Sequence, residues 1–398
     1  MKFNEIIILA VLLIAISCEK NGNEKDFPIT VDPTEITAQS NVSSQSFNIN
    51  TQGEWKLEIT TEAGEPVSWI TPSKTSGKGD SKITLRVFEN QFKNARIAIV
   101  KIRCVKETAQ VRVTQKGNEE SEIDDQSVQV RIGTFNLRRA ASETDPQNNW
   151  DNRKTRVIQS IKDNKYDVLG LQELDTHMQN YLVANLGSDY EFKFFSPYAQ
   201  NGLGDRGQGI MYKKNTFTLV DWKFFWLSES PYTIAPNNDS GSSGNYIRGG
   251  CYVILTHVNT GISFFAMNTH GCLNQSSNIQ WAPVYKKIEE TNNPKGYPSF
   301  FFGDLNARPE LESSVMFRTW WKDPYTELNK TYVLGPSGTY NGFNLNKNMN
   351  TAPRIDYVYY RGKVEPLLYK NDGTRYGGYY PSDHFPVYID AKISTIAE

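Results

Sequence analysis

One break in the chain limits what it can fold into more than any composition figure does. Residues 118–126 read Asn-Glu-Glu-Ser-Glu-Ile-Asp-Asp-Gln; with almost nothing apolar to bury, they predict a solvated acidic linker, placed at 118–127. Before it, short runs alternate apolar and polar residues: Phe47-Asn48-Ile49, Trp55-Lys56-Leu57-Glu58-Ile59, Ile83-Thr84-Leu85-Arg86-Val87, Ile97-Ala98-Ile99-Val100 and Val111-Arg112-Val113. Period-two alternation punctuated by Gly, Pro and Ser predicts antiparallel strands, and so many of them over 28–117 predict an all-β sandwich. After the break the pattern mixes. Apolar strands over 128–135, 168–171, 210–212, 252–256, 263–267, 300–302 and 355–360 are joined by a helix over 153–163 with Val157, Ile158 and Ile161 on one face. Few helices among many strands over 128–398 fit a two-sheet α/β sandwich with helices outside, not a regular βαβ array.

Composition removes several function classes. Of 398 residues, 38% are hydrophobic, and Lys+Arg 43 stand against Asp+Glu 44 for a formal charge of -1. This excludes a disordered chain, a collagen-like fibre, a polytopic membrane protein and a strongly basic nucleic-acid clamp. The cysteines, 4 in all, are too few for a disulfide scaffold and form no Cys-x-x-Cys pair.

The N-terminus carries an address. Lys2 precedes an apolar run over 6–16, then Ser17-Cys18 and the polar Glu19-Lys20-Asn21-Gly22-Asn23-Glu24. The run is shorter than the ~20 residues that span a bilayer and fits the ~7–15 of a secretory signal. Ala15-Ile16-Ser17-Cys18 resembles the lipobox of bacterial lipoproteins, with Ala15 where leucine is commoner. The resemblance implies a signal peptide over 1–17, lipidation at Cys18, a tether over 18–27, and an exported protein anchored to a membrane, in the outer membrane on its periplasmic or outer face. An ordinary cleaved signal with an incidental cysteine is the alternative. Export would also make a disulfide between Cys251 and Cys272 chemically possible.

Within 28–117, Trp69-Ile70-Thr71-Pro72, the Gly77-Lys78-Gly79 turn, Glu89-Asn90 before Arg96 and the closing Val113-Thr114-Gln115-Lys116-Gly117 resemble the BACON domain of Bacteroidetes surface proteins. That resemblance implies an immunoglobulin-like sandwich that either contacts glycan or spaces a catalytic domain from the membrane. Trp55 and Trp69 could stack on a sugar, but tryptophans on such strands read first as core.

In the second region polar residues recur where apolar strands end, the place where an open α/β architecture presents functional groups. The segments are Thr134-Phe135-Asn136, Leu171-Gln172-Glu173, Asn268-Thr269-His270, Gly303-Asp304-Leu305-Asn306, Arg354-Ile355-Asp356-Tyr357 and Ser382-Asp383-His384-Phe385. A carboxylate set directly after Val168-Leu169-Gly170-Leu171 is costly unless a cation or donor meets it. His177 and His257 lie in no such segment and read as structural or exposed.

In this order and spacing the segments resemble the endonuclease/exonuclease/phosphatase superfamily over about 128–391, whose fold is a DNase I-like four-layer α/β sandwich. Phe225-Trp226-Leu227-Ser228-Glu229-Ser230-Pro231, Gly338-Thr339-Tyr340-Asn341-Gly342-Phe343 and the segment from Tyr380 to Val387 resemble a secreted bacterial branch of it. The resemblance implies that Glu173 is the principal ligand of a divalent cation, with Asn136 and Asp383 assisting. Hard oxygen donors and a phosphate substrate favour Mg²⁺, with Mn²⁺ or Ca²⁺ able to substitute. It further implies that Asp304 readies the attacking water, Asn306 holds a phosphate oxygen, His270 and His384 set imidazoles against phosphoryl oxygens, and Asp356 fixes a histidine tautomer. The chain departs from the pattern twice. Arg206 stands where some relatives have a glutamate that pairs with the last histidine, leaving His384 without that partner or paired to Asp205. Gly271-Cys272-Leu273 replaces Leu-Asp-His after His270.

The substrate is left open among nucleic acid, a phospholipid or sphingolipid head group, and an inositol or sugar phosphate. Basic residues are scattered as Arg138-Arg139, Lys213-Lys214 and Lys286-Lys287, so long duplex DNA is not specially indicated. The loop over 236–246, with Trp226, Tyr232, Tyr246, Trp281 and Tyr340, offers an aromatic wall for a base, sugar or lipid head. The rival from another class is a non-catalytic glycan-binding lipoprotein.

Overall fold

The computed structural model describes residues 27–62, 64, 67, 69–90, 92–118, 127–140, 143, 145–197, 206–235, 238–239 and 246–394. The signal and lipobox with Cys18, most of the acidic linker, Asp205 and most of the 236–246 loop lie outside them. The chain divides into two compact units, 1–121 and 122–398.

The first unit is all strand. One sheet orders β1 (Thr30–Asp32), β3 (Ser43–Asn50), β7 (Ser81–Val87) and β5 (Ile70–Pro72). The other orders β2 (Glu35–Ala38), β9 (Glu107–Gln115), β8 (Arg96–Cys104), β4 (Glu54–Thr60) and β6 (Ser76–Lys78). Alternation along β7 and β4 buries Ile83, Leu85, Val87, Trp55 and Leu57 in one core with Phe47, Val100, Ile102, Val111 and Val113. Each such side chain contributes roughly 1.5–3 kcal/mol. Trp55 is 1% exposed with its indole N–H donating to the Gly79 carbonyl at 3.1 Å, and Trp69 is 7% exposed beneath the Arg96 guanidinium. Both tryptophans are core, so neither forms a platform on which a sugar could stack.

The second unit packs two sheets face to face. The first orders β12 (Tyr190–Phe195), β13 (Gly207–Lys213), β11 (Val168–Leu174), β10 (Ser127–Asn136), β21 (Val387–Ser394), β20 (Val364–Asn371) and β18 (Val333–Leu334). The second orders β14 (Phe217–Trp226), β15 (Gly249–His257), β16 (Ser263–His270), β17 (Ser299–Asp304) and β19 (Asp356–Arg361). Val130, Ile132, Val168, Val253, Phe264, Phe300 and Phe302 meet between the sheets. Helices α1 (Trp150–Asn164) and α2 (Thr176–Leu186) cover the outer face of the first sheet through Val157, Ile161, Met178 and Leu182. Helices α3 (Gln275–Asn292) and α4 (Glu312–Trp320) cover the second through Tyr285, Ile288 and Phe317; a one-turn α5 (Pro324–Glu327) follows.

The four-layer reading is borne out, and the layers explain the run Phe300-Phe301-Phe302. Phe300 and Phe302 face the other sheet while Phe301 faces α3 and α4, so every residue is buried and alternation disappears. Four helices, α2 to α5, were not anticipated. Pro283 sits inside α3 and obscures its pattern, α2 buries only Met178, Leu182 and Leu186, and α5 is a single turn. Cys251 and Cys272 are both buried and both free, so no disulfide joins them.

Candidate active site

Register brings the polar strand ends to one rim. Asn136 pairs in parallel with Gln172 across β10 and β11. On the facing sheet His270 pairs with Asp304 and Asp304 with Asp356, which sets three titratable residues in a row across β16, β17 and β19. Beneath the rim an amide relay joins the sheets. Gln172 Nε2 donates to Thr134 Oγ1 at 2.9 Å and Asn268 Oδ1 at 2.6 Å, while Asn268 Nδ2 donates to the carbonyls of Leu171 and Gly209. Gly303 makes the row possible: its φ is +150°, and a Cβ there would lie 2.0 Å from the Thr269 carbonyl oxygen.

Glu173 leaves the ladder at a register shift between Leu171 and Leu174 and takes φ +59°, a strained conformation that turns its carboxylate into the cleft. The Asn136 amide bridges it to the second sheet, donating to Glu173 Oε1 at 3.1 Å and Asp304 Oδ2 at 2.9 Å; its oxygen accepts from Arg138 N at 3.0 Å. Glu173 Oε2 accepts from Arg139 N. Asp304 Oδ1 accepts from Asn306 N at 2.9 Å, with His270 Nε2 3.4 Å and His384 Nε2 3.8 Å from its other oxygen. Asn306 is itself left-handed at φ +49°, and its amide donates to the Gly271 carbonyl.

His384 Nδ1 lies 2.8 Å from Asp356 Oδ2, and Thr339 Oγ1 donates to the same oxygen at 2.5 Å. His384 therefore has its carboxylate partner in Asp356. Glutamate is not needed at position 206.

Two further residues hold the rim in place. Arg153, fully buried, donates to the carbonyls of Leu137, Arg138, Asn148 and Pro381, and so ties the end of β10 to the segment carrying Asp383. Ser382 Oγ donates to the Asn136 carbonyl at 2.7 Å.

A cleft of about 350 Å³ opens over these groups, lined by Glu173, His270, Asp304, Asn306, Asp383 and His384. Asn136 and Asp356 stand directly behind it, fully buried. The catalytic and metal-site residues expected from the sequence thus converge, and Cys18 lies outside the described residues. His177 is exposed, and His257 is tied to Thr260, away from the cleft. The aromatic wall is smaller than expected. Of its members Tyr246 and Tyr340 line the cleft, whereas Trp226 is buried and Trp281 donates to the Asn238 carbonyl.

The electrostatics split the two histidines. Burial opposes a charge on His384, but Asp356, Asp304 and Asp383 raise it to about 10, so at neutral pH it is an imidazolium. Burial, reinforced by Arg248, pulls His270 down to about 4 against Asp304 and Glu173, so it is neutral. Burial also opposes a charge on Glu173, yet His270, Arg138, the Asn136 amide and His384 hold its carboxyl at about 2. Burial pushes Asp304 up, with help from Asp356, and takes Asp383 to about 6. Neighbouring groups driven in opposite directions are the usual layout for acid and base work.

The residues present fit a divalent cation. Asp304, Asp356 and His384 offer ligand atoms within 4.8 Å of one another. In that trio, however, His384 is held protonated and its Nδ1 engages Asp356, which blocks ligation. Glu173, ionised and aimed into the cleft beside Asp383, presents the hard oxygen donors such an ion takes.

Residues 133–384, more than half of the chain, match the endonuclease/exonuclease/phosphatase family, and residues 58–116 match BACON, a family of N-terminal binding domains. Over 287 residues the chain is 25% identical to nocturnin of Drosophila melanogaster, covering 61% of this chain and 42% of that protein, so it spans about two fifths of the relative's length. An endonuclease/exonuclease/phosphatase of Bacteroides vulgatus superposes with a TM-score of 0.60 at 25% identity, covering 67% of this chain and all of that one. A mannosyl-6-phosphatase of Bacteroides thetaiotaomicron superposes at 0.56 with 24% identity, covering 66% of this chain and 99% of that one. The chain belongs to the endonuclease/exonuclease/phosphatase family.

Proposed function

We propose that the protein is an exported, lipid-anchored phosphoesterase that uses Mg²⁺, with Mn²⁺ or Ca²⁺ able to replace it, to cut a phosphodiester or phosphomonoester. The observation that carries the reading is the convergence of an ionised Glu173, a buried Asp304 and a charged His384 on one cleft. Glu173 and Asp383, aligned by Asn136, would hold the cation. When bound, the ion supplies charge neutralisation at phosphorus and lowers the pKa of water. Asp304 orients the attacking water, held by the Asn136 amide on one side and the Asn306 N–H on the other. His384, with Asp356 and Thr339 fixing its ring, donates a proton towards a phosphoryl or leaving-group oxygen, and neutral His270 donates an N–H without adding charge. Asn306 holds a phosphate oxygen.

The sequence over 1–18 supports export and anchoring through Cys18 in the outer membrane. The N-terminal sandwich then serves as a spacer between anchor and enzyme. A cleft of about 350 Å³ suits a compact substrate, since small-molecule sites run from ~300 Å³ upward. Nucleotide, lipid head-group and sugar or inositol phosphates are the classes to compare. The test is release from bis-p-nitrophenyl phosphate, p-nitrophenyl phosphate, single-stranded DNA, RNA, sphingomyelin and inositol phosphates, with Mg²⁺ or EDTA. Turnover abolished by EDTA and restored by Mg²⁺ is expected; turnover indifferent to EDTA would overturn the reading.

A further inference from the structure

The cleft also holds guanidinium groups for which the chemistry above has no use. Arg138 and Arg139 follow β10 beside Glu173. Arg206 and Arg248 line the same cleft from the residues just before β13 and β15. Strand order separates the two pairs: β13 and β15 lie towards one side, β21 and β19 with His384 and Asp356 towards the other, and β11 with Glu173 between.

On the β13/β15 side the cations form a stack. The guanidinium of Arg206 lies over the Tyr246 ring at 5.5 Å and that of Arg248 over the same ring at 5.1 Å. Arg248 is almost fully buried and is anchored by Asp239, which also accepts from the backbone N–H groups of Leu273 and Asn274. Its field reaches the reacting centre, where it helps lower His270. Arg206 is only half-buried and reaches the cleft surface. The Tyr246 ring thus has two guanidinium charges within 5.5 Å of its centroid. Tyr340, the other tyrosine lining the cleft, belongs to the opposite side, where it packs on His384. Planar guanidiniums held in place by stacking are suited to a phosphate or carboxylate, because the fork is ordered before the ligand arrives.

We propose that Arg206, Tyr246 and Arg248 form a subsite for a second anionic group, so that preferred substrates carry a phosphate or carboxylate in addition to the phosphate that is cut. This rests on the phosphoesterase reading, and it names the substrate class as bis-anionic small molecules. The first phosphate sits over Glu173, Asp304 and His384, and the second group lies towards β13 and β15.

The test separates the two claims. Turnover of p-nitrophenyl phosphate by the wild type reports the phosphoesterase reading alone. Calorimetric binding to full-length Asp304→Asn, which need not turn over, reports the subsite, with glucose 6-phosphate, 6-phosphogluconate and glucose 1,6-bisphosphate as probes. The two bis-anionic probes are expected to bind about tenfold or more tightly than glucose 6-phosphate. Adding Arg206→Gln should remove that preference and Arg206→Lys should retain part of it. A preference for only one of the two probes would identify the second group as phosphate or as carboxylate. Equal affinity for all three sugars, or a preference that survives Arg206→Gln, would overturn the proposal.

Discussion

The two units of this chain solve the same packing problem and differ in what they leave at their strand ends. In the N-terminal sandwich every buried strand position is spent on packing: Leu85, Val100 and Val111 are fully buried, and the polar groups there serve the backbone, as Gln115 does by donating to the carbonyls of Gln39, Ser40 and Phe88. In the C-terminal sandwich β10 and β17 close on Asn136 and Asp304 and β19 opens on Asp356, all essentially buried. A carboxylate in that position destabilises a fold unless it is met by donors. Here Thr339, the Asn136 amide and the Asn306 N–H meet them. Burial of this kind is a cost that packing alone does not call for, which is why it marks the working end of the molecule.

If the contrast is sound, mutations should divide cleanly. His384→Ala should lower kcat by roughly 10²–10⁴ in protein that still folds, with the melt of the N-terminal unit in place and that of the C-terminal unit lowered by the lost pairing with Asp356; steady-state kinetics beside calorimetry would check this. Leu85→Ala in the N-terminal core should do the reverse, destabilising that unit by ~2–5 kcal/mol with kcat unchanged. An activity loss there would break the comparison. Thr339→Val keeps the shape but removes the hydroxyl that holds Asp356, and an about tenfold fall in kcat is expected, with His384 titrating lower by NMR.

The smallest effect is on stability against pH. His384 is raised in the folded state from its ordinary 6.5 to about 10. Its pairing with Asp356 therefore contributes fully below about pH 6.5 and is lost as pH rises through about 10. With EDTA present, the melting temperature should fall over that window in the wild type and fall less in His384→Gln.

Much of this was readable in the sequence, for physical reasons that differ by element. Period-two alternation identified β3, β4, β7, β8 and β9 of the first unit because each has one buried face, whereas β1, β2, β5 and β6 are too short to show it. The polar tails after 168–171 and 300–302 were visible because an apolar strand does not end in a carboxylate by packing preference. Other parts were hidden. The sequence offers His384 either no partner or Asp205, because Asp356 lies 28 residues away and meets it from the facing sheet. Arg153 opens the amphipathic helix expected over 153–163, and its spacing of four to Val157 and eight to Ile161 places it on the buried face. Arg248 gave no such signal, since its role depends on Arg206 arriving from the position before β13. In the second unit strands β12, β14, β18, β20 and β21 were not anticipated; in β14 the exposed and half-buried residues between Phe217 and Phe225 break the alternation.

The central claim is that Asp304, at the meeting point of both sheets, readies the nucleophile for an attack at phosphorus. The most direct measurement is Mg²⁺-dependent hydrolysis of bis-p-nitrophenyl phosphate and p-nitrophenyl phosphate by wild type and Asp304→Asn in parallel, with folding of both confirmed by their melts. The account predicts turnover that rises with Mg²⁺ in the wild type and falls by roughly 10²–10⁴ in the variant. Undiminished metal-dependent turnover in Asp304→Asn would contradict it.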